Sequence, residues 1–402
     1  MNPPLSRTDK LLGTATLLLL GLAGYWLGRP QQPFRAASPA AETRPAEPAP
    51  ELTATAPAGP DPEPAPDRSR SAWRVVGSPA SRRILQVHRY VGTIAGQPAT
   101  AELRWFTPDS ITGSFYLHRT STTYSLSYER KRPGPVVFRV SEDSYAEDPA
   151  PHHWRLTTRP GRPTLQATWH QGQRRRAVTL RESYAGAVRY GVRTMYLVDL
   201  RDSTAGLRKG FDGDVHAEFL QLPAPATVRP ALRPLLNPGP KARRRQLDDL
   251  YEGLTTAAYQ LTVRLNGFGL FSYQYRDYSR MIDGTPSVGF ESTLLDLTAG
   301  RPLTIESQLR AGYELPLQRL FTQHFLHDPE FADKREWFKQ SWRDPQLVDL
   351  PDQDLCLTAA GLEGVYWQPM YPDAVLIPYH ELRPLVRPGT PLARMLRARG
   401  MW

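Results

Sequence analysis

Asp212, Asp214, His216 and Glu218 stand two residues apart in "FDGDVHAEF". On one extended strand such residues share a face, because side chains alternate with period two. Carboxylates and an imidazole so arranged are ligands for a hard cation or for Zn2+. The simpler reading is that Asp212-Gly213 is a turn and that Asp214, His216 and Glu218 are the solvent face of the outgoing strand; this is the expectation. His152-His153 are adjacent, so on a strand they point to opposite faces and ligate poorly together. Cys356 is the single cysteine, which excludes an intramolecular disulfide. It sits in the apolar alternation "DLCLTA" and is expected to be buried. The sequence contains no H-E-x-x-H, C-x-x-C, G-x-S-x-G or Gly-rich phosphate loop. No catalytic, metal-binding or cofactor-binding residue is therefore assigned, and no cofactor is expected.

Two groups of residues are candidates for binding a partner. Arg174-Arg175-Arg176 follow the turn Gln171-Gly172-Gln173. They are either a solvated loop or a contact for phosphate, an anionic lipid headgroup or an acidic glycan. Tyr366, Trp367 and Tyr371 lie in "YWQPMYPD". Rigid aromatics in an exposed loop are good anchors for a partner, and the alternative is that they cover the end of a sheet. Asp248, Asp249 and Glu252 read as the wet face of a helix. The formal net charge is +10, of which +6 falls within residues 84–183, mostly as scattered Arg. Scattered charge of this kind argues against a nucleic-acid partner.

The elements that must position these residues begin with an address. Leu11–Gly28, "LLGTATLLLLGLAGYWLG", carries no charge and follows Arg7 and Lys10. As a helix it would span ~27 Å, close to the apolar thickness of a bilayer. It is expected to be an uncleaved signal-anchor, with residues 1–10 cytoplasmic and the rest outside an inner membrane; secretion after cleavage is the alternative. Arg29–Ala72 holds eleven prolines in 44 residues. A chain so poor in large apolar groups cannot offset its own entropy. Residues 29–83 are thus expected to be a disordered Pro/Ala-rich linker.

From Ile84 the apolar pattern turns to period two. Eight short runs follow, from "YVGTIAG" (Tyr90–Gly96) to "RAVTLRE" (Arg176–Glu182), each bounded by Gly, Pro or Asp turn chemistry. Residues 84–185 are predicted to be an all-β antiparallel meander or small barrel. Residues 186–402 are predicted to be α+β, an antiparallel sheet packed by helices. A long strand is expected over Val188–Val198, and helices over Thr227–Leu236, Lys241–Leu254, Leu315–Leu326 and His327–Trp342. Ala258–Asn266 and Leu270–Ser279 read as a hairpin joined at Asn266-Gly267.

The order of several segments in this half carries a resemblance. "YRDYSRMIDGTPSVGFESTLLDLTAGRPLTIESQL" is similar to a hairpin–strand unit ending in a D-L-x-T-G-x-x-L turn. "YELPLQRLFTQHFL" resembles the helix after it, and "LCLTAAGLEGVYWQPMYPDAVLIPYHELRPLV" resembles the closing strands with their I-P-Y-x-E-L end. Together, over roughly Val188 to Leu396, these resemble the RsiV-type extracytoplasmic domain of unknown function. That domain occurs on a lysozyme-sensing anti-sigma factor and beside some peptidoglycan deacetylases. The resemblance implies an envelope location and a binding role. Where relatives carry a Gly-Ala-His-like turn this chain has "IDGTPSVG", so no role of that His carries over. Ten residues precede Leu11, too few for a sigma-binding segment, so no anti-sigma role is expected. The expectation for function is a membrane-anchored, non-catalytic protein that binds or senses an envelope glycan or protein, peptidoglycan included. The alternatives are an envelope polysaccharide-modifying enzyme or a structural or assembly factor.

Overall fold

The computed structural model describes residues 73–76, 85–107, 110–129, 136–142, 152–157, 161–199, 215–223, 228–251, 256–280, 287–327, 331, 335, 347–351, 355–366 and 373–402. The expected signal-anchor and most of the expected linker lie outside them. Among the described residues, no helix is long and apolar enough to cross a membrane. Arg68–Trp402 form one compact unit. Within the stretch expected as linker, Trp73–Val76 form a strand, β1.

Eight strands follow in an up-and-down order: β2 (Leu85–Ile94), β3 (Gln97–Thr107), β4 (Ser110–Leu117), β5 (Thr123–Glu129), β6 (Val137–Glu142), β7 (His152–Leu156), β8 (Thr164–Gln171) and β9 (Arg174–Glu182). Each pairs antiparallel with the next, and β9 returns to β2 with Gly92 opposite Leu180. The meander is therefore a closed eight-stranded barrel. Closure needs the strands to come close at one point. A Cβ on Gly92 would stand 2.2 Å from the Thr179 carbonyl oxygen, so only glycine fits there. The interior is a packed core, with Tyr90, Phe115, Phe138 and Trp154 fully buried. Phe115 packs on Tyr124 and Trp154 with ring centroids 4.5 and 4.6 Å apart. Eight strands leave an interior that side chains fill, and here large aromatics fill it.

The sheet does not stop at the barrel. β10 (Gly191–Asp199) pairs with β2 at Leu85 and Gln86, with β1, and with β11 (Val215–Gln221). β12 (Thr256–Gly267) then runs parallel to β11, which requires a crossover. That connection carries α1 (Arg233–Leu236) and α2 (Pro240–Tyr251). Pro230 and Pro234 break the longer helix expected over Thr227–Leu236 into a 3-10 turn and α1. β13 (Leu270–Arg280), β14 (Ser287–Asp296) and β15 (Arg301–Leu303) complete the sheet.

The β12–β13 hairpin was legible, but its turn is displaced from the Asn-Gly pair. Gly267 pairs with Leu270, and the turn residues are Phe268 and Gly269, with φ of 57° and 83°. Positive φ at both central residues gives the twist that a two-residue hairpin needs. Asn266 stays in the strand because its side chain is committed elsewhere.

The second layer is built from α3 (Glu314–His327), a sheet of β16 (Leu355–Leu357), β17 (Gly361–Tyr366) and β18 (Asp373–Pro378), then α4 (Tyr379–Leu382) and α5 (Pro391–Ala398). Leu317, Phe321 and Phe325 of α3 pack with Leu362, Ile377 and Leu382 in one core. On the opposite face of β12–β14, Leu232 and Leu236 pack with Phe271, Tyr273 and Tyr275. At the β12–β13 hairpin end the sheet is thus covered on both faces. In "LIPYHELRPLV", Ile377, Tyr379 and Leu382 are fully buried at the strand-to-helix corner. α5 opens with Thr390, whose side chain accepts from the Ala393 amide, and with Pro391 in the first turn.

Candidate functional site

Outward-facing residues of three barrel strands meet the second layer across a cleft of about 670 Å3. Period-two alternation decides which residues reach it. Ala101, Leu103, Ile111, Phe115 and Leu126 point into the barrel core. Their neighbours Glu102 and Arg104 on β3, Thr112, Ser114 and Tyr116 on β4, and Thr123 and Ser125 on β5 therefore face out and line the cleft. The facing wall is Thr262–Arg264 of β12, the Thr358–Ala360 turn, Glu363 of β17, and Ala374 and Leu376 of β18. Glu363 is ion-paired with Arg264.

Polar groups also knit the closed end. Glu102 accepts from Asn266 Nδ2 at 2.8 Å and from the Tyr190 hydroxyl at 3.1 Å. The Asn266 side chain holds both main-chain groups of Val188, at 2.8 and 3.0 Å. Its own carbonyl accepts from Arg89 Nε at 2.8 Å, and Arg89 also donates to the Ser183 carbonyl at 2.7 Å. Burial raises the Glu102 carboxyl above the usual carboxylate range, an effect that Asn266, Arg89, Arg104 and Tyr190 offset only in part. Burial also raises the Tyr190 phenol, and Glu102 adds to the shift. Burial works against the charge on Arg104, but Tyr190, Glu102 and Glu218 outweigh it.

The last residue of this network comes from the other end of the chain. Arg399, 2% exposed, donates to the carbonyls of His118 (2.9 Å), Ala359 (2.7 Å), Thr120 (3.0 Å) and Leu117 (3.5 Å). Its guanidinium lies 5.2 Å from the Tyr116 ring centre and 5.0 Å from that of Tyr379. Tyr379 completes the seam: its amide donates to Ser121 Oγ at 3.0 Å and its hydroxyl donates to the Thr358 carbonyl. His118 sits beneath, its Nε2 2.9 Å from Thr100 Oγ1. Burial, with Arg399 and Arg89 nearby, lowers the His118 imidazole to about 4.

The residues singled out from sequence are placed elsewhere. Tyr366 is 7% exposed and packs edge-on against Phe321 and Phe325, so it belongs to the core rather than to an exposed loop. Trp367 and Tyr371 lie outside the described residues. Arg174, Arg175 and Arg176 are not a loop but the first residues of β9, paired with Gln171, His170 and Trp169. Arg176 lies over the Trp169 ring at 5.7 Å; Arg174 and Arg175 are exposed. Asp212 and Asp214 lie outside the described residues, and Glu218 accepts from the Leu261 amide at 2.9 Å, tying β11 to β12. Cys356 is buried, 3.6 Å from Ser272 Oγ. Sequence reasoning missed Glu102, Arg104, Arg264, Glu363 and Arg399. The readable signal was the run of small hydroxyl residues at outward positions of β4 and β5.

No protein-family model matches this sequence, and no curated protein matches it either. Among solved structures, the chain is similar to a DUF3298 family protein from Pseudomonas aeruginosa PAO1, with 17% identity over 50% of this chain and 95% of that one at a TM-score of 0.38. It is also similar to a member of the DUF3298 family from Bacteroides fragilis NCTC 9343, with 12% identity over 45% of this chain and 87% of that one at a TM-score of 0.36.

Proposed function

We propose that this protein is a non-catalytic binding or sensing protein of the bacterial cell envelope, whose ligand, an envelope glycan or protein, enters the cleft between the barrel and the β16–β18 sheet. The reading continues the sequence resemblance of Val188–Leu396 to the RsiV-type extracytoplasmic domain. It places Leu11–Gly28 as an inner-membrane anchor, residues 29–72 as the spacer and the compact unit in the periplasm. The observation that carries it is the lining of the cleft. Thr112, Ser114, Thr123, Ser125 and Thr262 offer hydroxyls that both donate and accept, flanked by the charged groups of Arg104 and of the Arg264–Glu363 pair. A few convergent polar groups in a large concavity are the usual makings of a ligand site.

A second reading has one specific observation behind it. Glu102 and Glu363 line the same cleft in unlike surroundings, one raised by burial and one paired with an arginine. Paired carboxylates of unequal character are what hydrolysis of a glycosidic bond uses. One experiment separates the two. Detergent-solubilised full-length protein is incubated with purified peptidoglycan sacculi, with and without a chelator, and the pellet and soluble products are both measured. Retention in the pellet without soluble products is the expected result. Release of soluble fragments that stops in both Glu102→Gln and Glu363→Gln would overturn it in favour of the enzyme.

A further inference from the structure

We propose that the cleft selects an acidic glycan, one that carries carboxylates on a hydroxyl-rich chain; this rests on the binding reading above and narrows its ligand class. Four guanidinium groups belong to the cleft's walls: Arg104 and Arg264 line the cleft, and Arg89 and Arg399 are buried behind it. Three carboxylates answer them. Glu363 pairs with Arg264, and Glu102 and Glu218 act on Arg104, with Glu102 also acting on Arg89. Arg399 is met by main-chain carbonyls and two aromatic faces, and Arg89 donates to two further carbonyls. Both are buried, at 2% and 3% exposure. Positive charge held in a low-dielectric wall is screened little, so its field reaches into the cleft through Tyr116 and Ala359, which separate Arg399 from it.

Tyr116 is 7% exposed: its ring lines the cleft, and its hydroxyl is sealed behind the wall beside Gly267 and Arg89. Thr112, Ser114, Thr123, Ser125 and Thr262 are short groups that donate and accept in turn, as sugar hydroxyls do. An acidic peptide could use the same arginines, and the oligoglutamate arm of the test below separates it from a glycan.

Glu363 gives the proposal a signature. Its carboxylate competes with an incoming anion for Arg264, so removing its charge strengthens acidic binding. The test is titration of full-length protein with an oligogalacturonate, with the same oligosaccharide methyl-esterified, and with oligoglutamate, followed by calorimetry at low and moderate salt. The acid form is expected to bind at least ten-fold more tightly than the ester and than oligoglutamate. Glu363→Gln raises its affinity about three-fold. Equal binding of acid and ester, tighter binding of oligoglutamate, or a loss of affinity in Glu363→Gln overturns the acidic-glycan assignment. If no oligosaccharide binds while sacculi still retain the protein, this assignment fails and the binding reading stands. If sacculi release it as well, both fail.

Discussion

His118 illustrates how much of this molecule is decided by single buried polar groups. It lies between Thr100, Arg399 and Arg89, with the Phe268 ring edge-on at 5.0 Å, and its imidazole is lowered from 6.5 to about 4. A lowered base prefers to be neutral in the fold. Its contribution to stability is therefore present above about pH 6.5 and is lost as the pH falls through about 4. A shift of this size corresponds to ~3 kcal/mol across that window. Glu102 has the opposite sign. Its raised carboxyl favours the protonated form, so its contribution is present at low pH and is lost as the pH rises through its folded value. The two partly cancel in the wild type. His118→Gln keeps a hydrogen-bonding group and removes the titration. Urea midpoints measured from pH 4 to 8 are expected to fall steeply below pH 6 in the wild type and to fall less in the variant. Parallel profiles would contradict this account of His118. At this scale the sequence was least legible. Tyr366 reads as a loop aromatic and is a core residue. No local pattern marks Arg89 and Arg399, which are among the most buried side chains, because their hydrogen-bond partners lie 40 to 282 residues away.

At the scale of elements the pattern was far more readable. Alternation with turn residues gave eight barrel strands, the β12–β13 hairpin and the helix over Glu314–His327, although β2 begins at Leu85 rather than Tyr90. These are local properties, written in neighbouring side chains. A small barrel was one of the two readings for the meander, but the choice between them, and the extension of β2 into β10, could not be read, since both depend on strands distant in sequence. Gly92 marks the closure. Gly92→Ala would set a methyl against the Thr179 carbonyl, and neither β2 nor β9 can move without opening the ladder. A loss of ~3 kcal/mol in denaturant unfolding is expected, and an unchanged midpoint would show that the closure is looser than described. Arg399 joins α5 to the β4–β5 turn and to the β16–β17 turn. Arg399→Met leaves four carbonyls without that donor, at a cost of about 3 kcal/mol. Arg399→Lys is expected to recover little, because one ammonium cannot span carbonyls arrayed around a planar fork. Full recovery by Lys, read as the thermal midpoint, would mean that charge alone suffices. Thr390→Ala removes the cap of α5 and should cost ~1 kcal/mol by the same measurement.

The whole compact unit is a filled barrel and a partly covered sheet, joined where β2 pairs with β10 at Leu85 and Gln86. Neither body offers a hollow interior: the barrel is packed with aromatics, and the sheet is packed on both faces around Leu270 and Phe271. The large cleft lies where the barrel's outer wall meets the second layer, and its residues come from β3, β4, β5, β12, β17 and β18. A site assembled from six strands leaves no local motif, which is why its arginines and carboxylates went unmarked in the sequence while the fold class could be read. The account stands on that cleft being where an envelope ligand binds. Amide hydrogen exchange of the full-length protein, with and without saturating sacculi, tests this most directly. Protection is expected at Thr112–Ser114, Thr123–Ser125 and Gly361–Tyr366, with the far barrel strands β7 and β8 unchanged. Retention by sacculi with protection confined to β7 and β8, and none along the cleft, would contradict it.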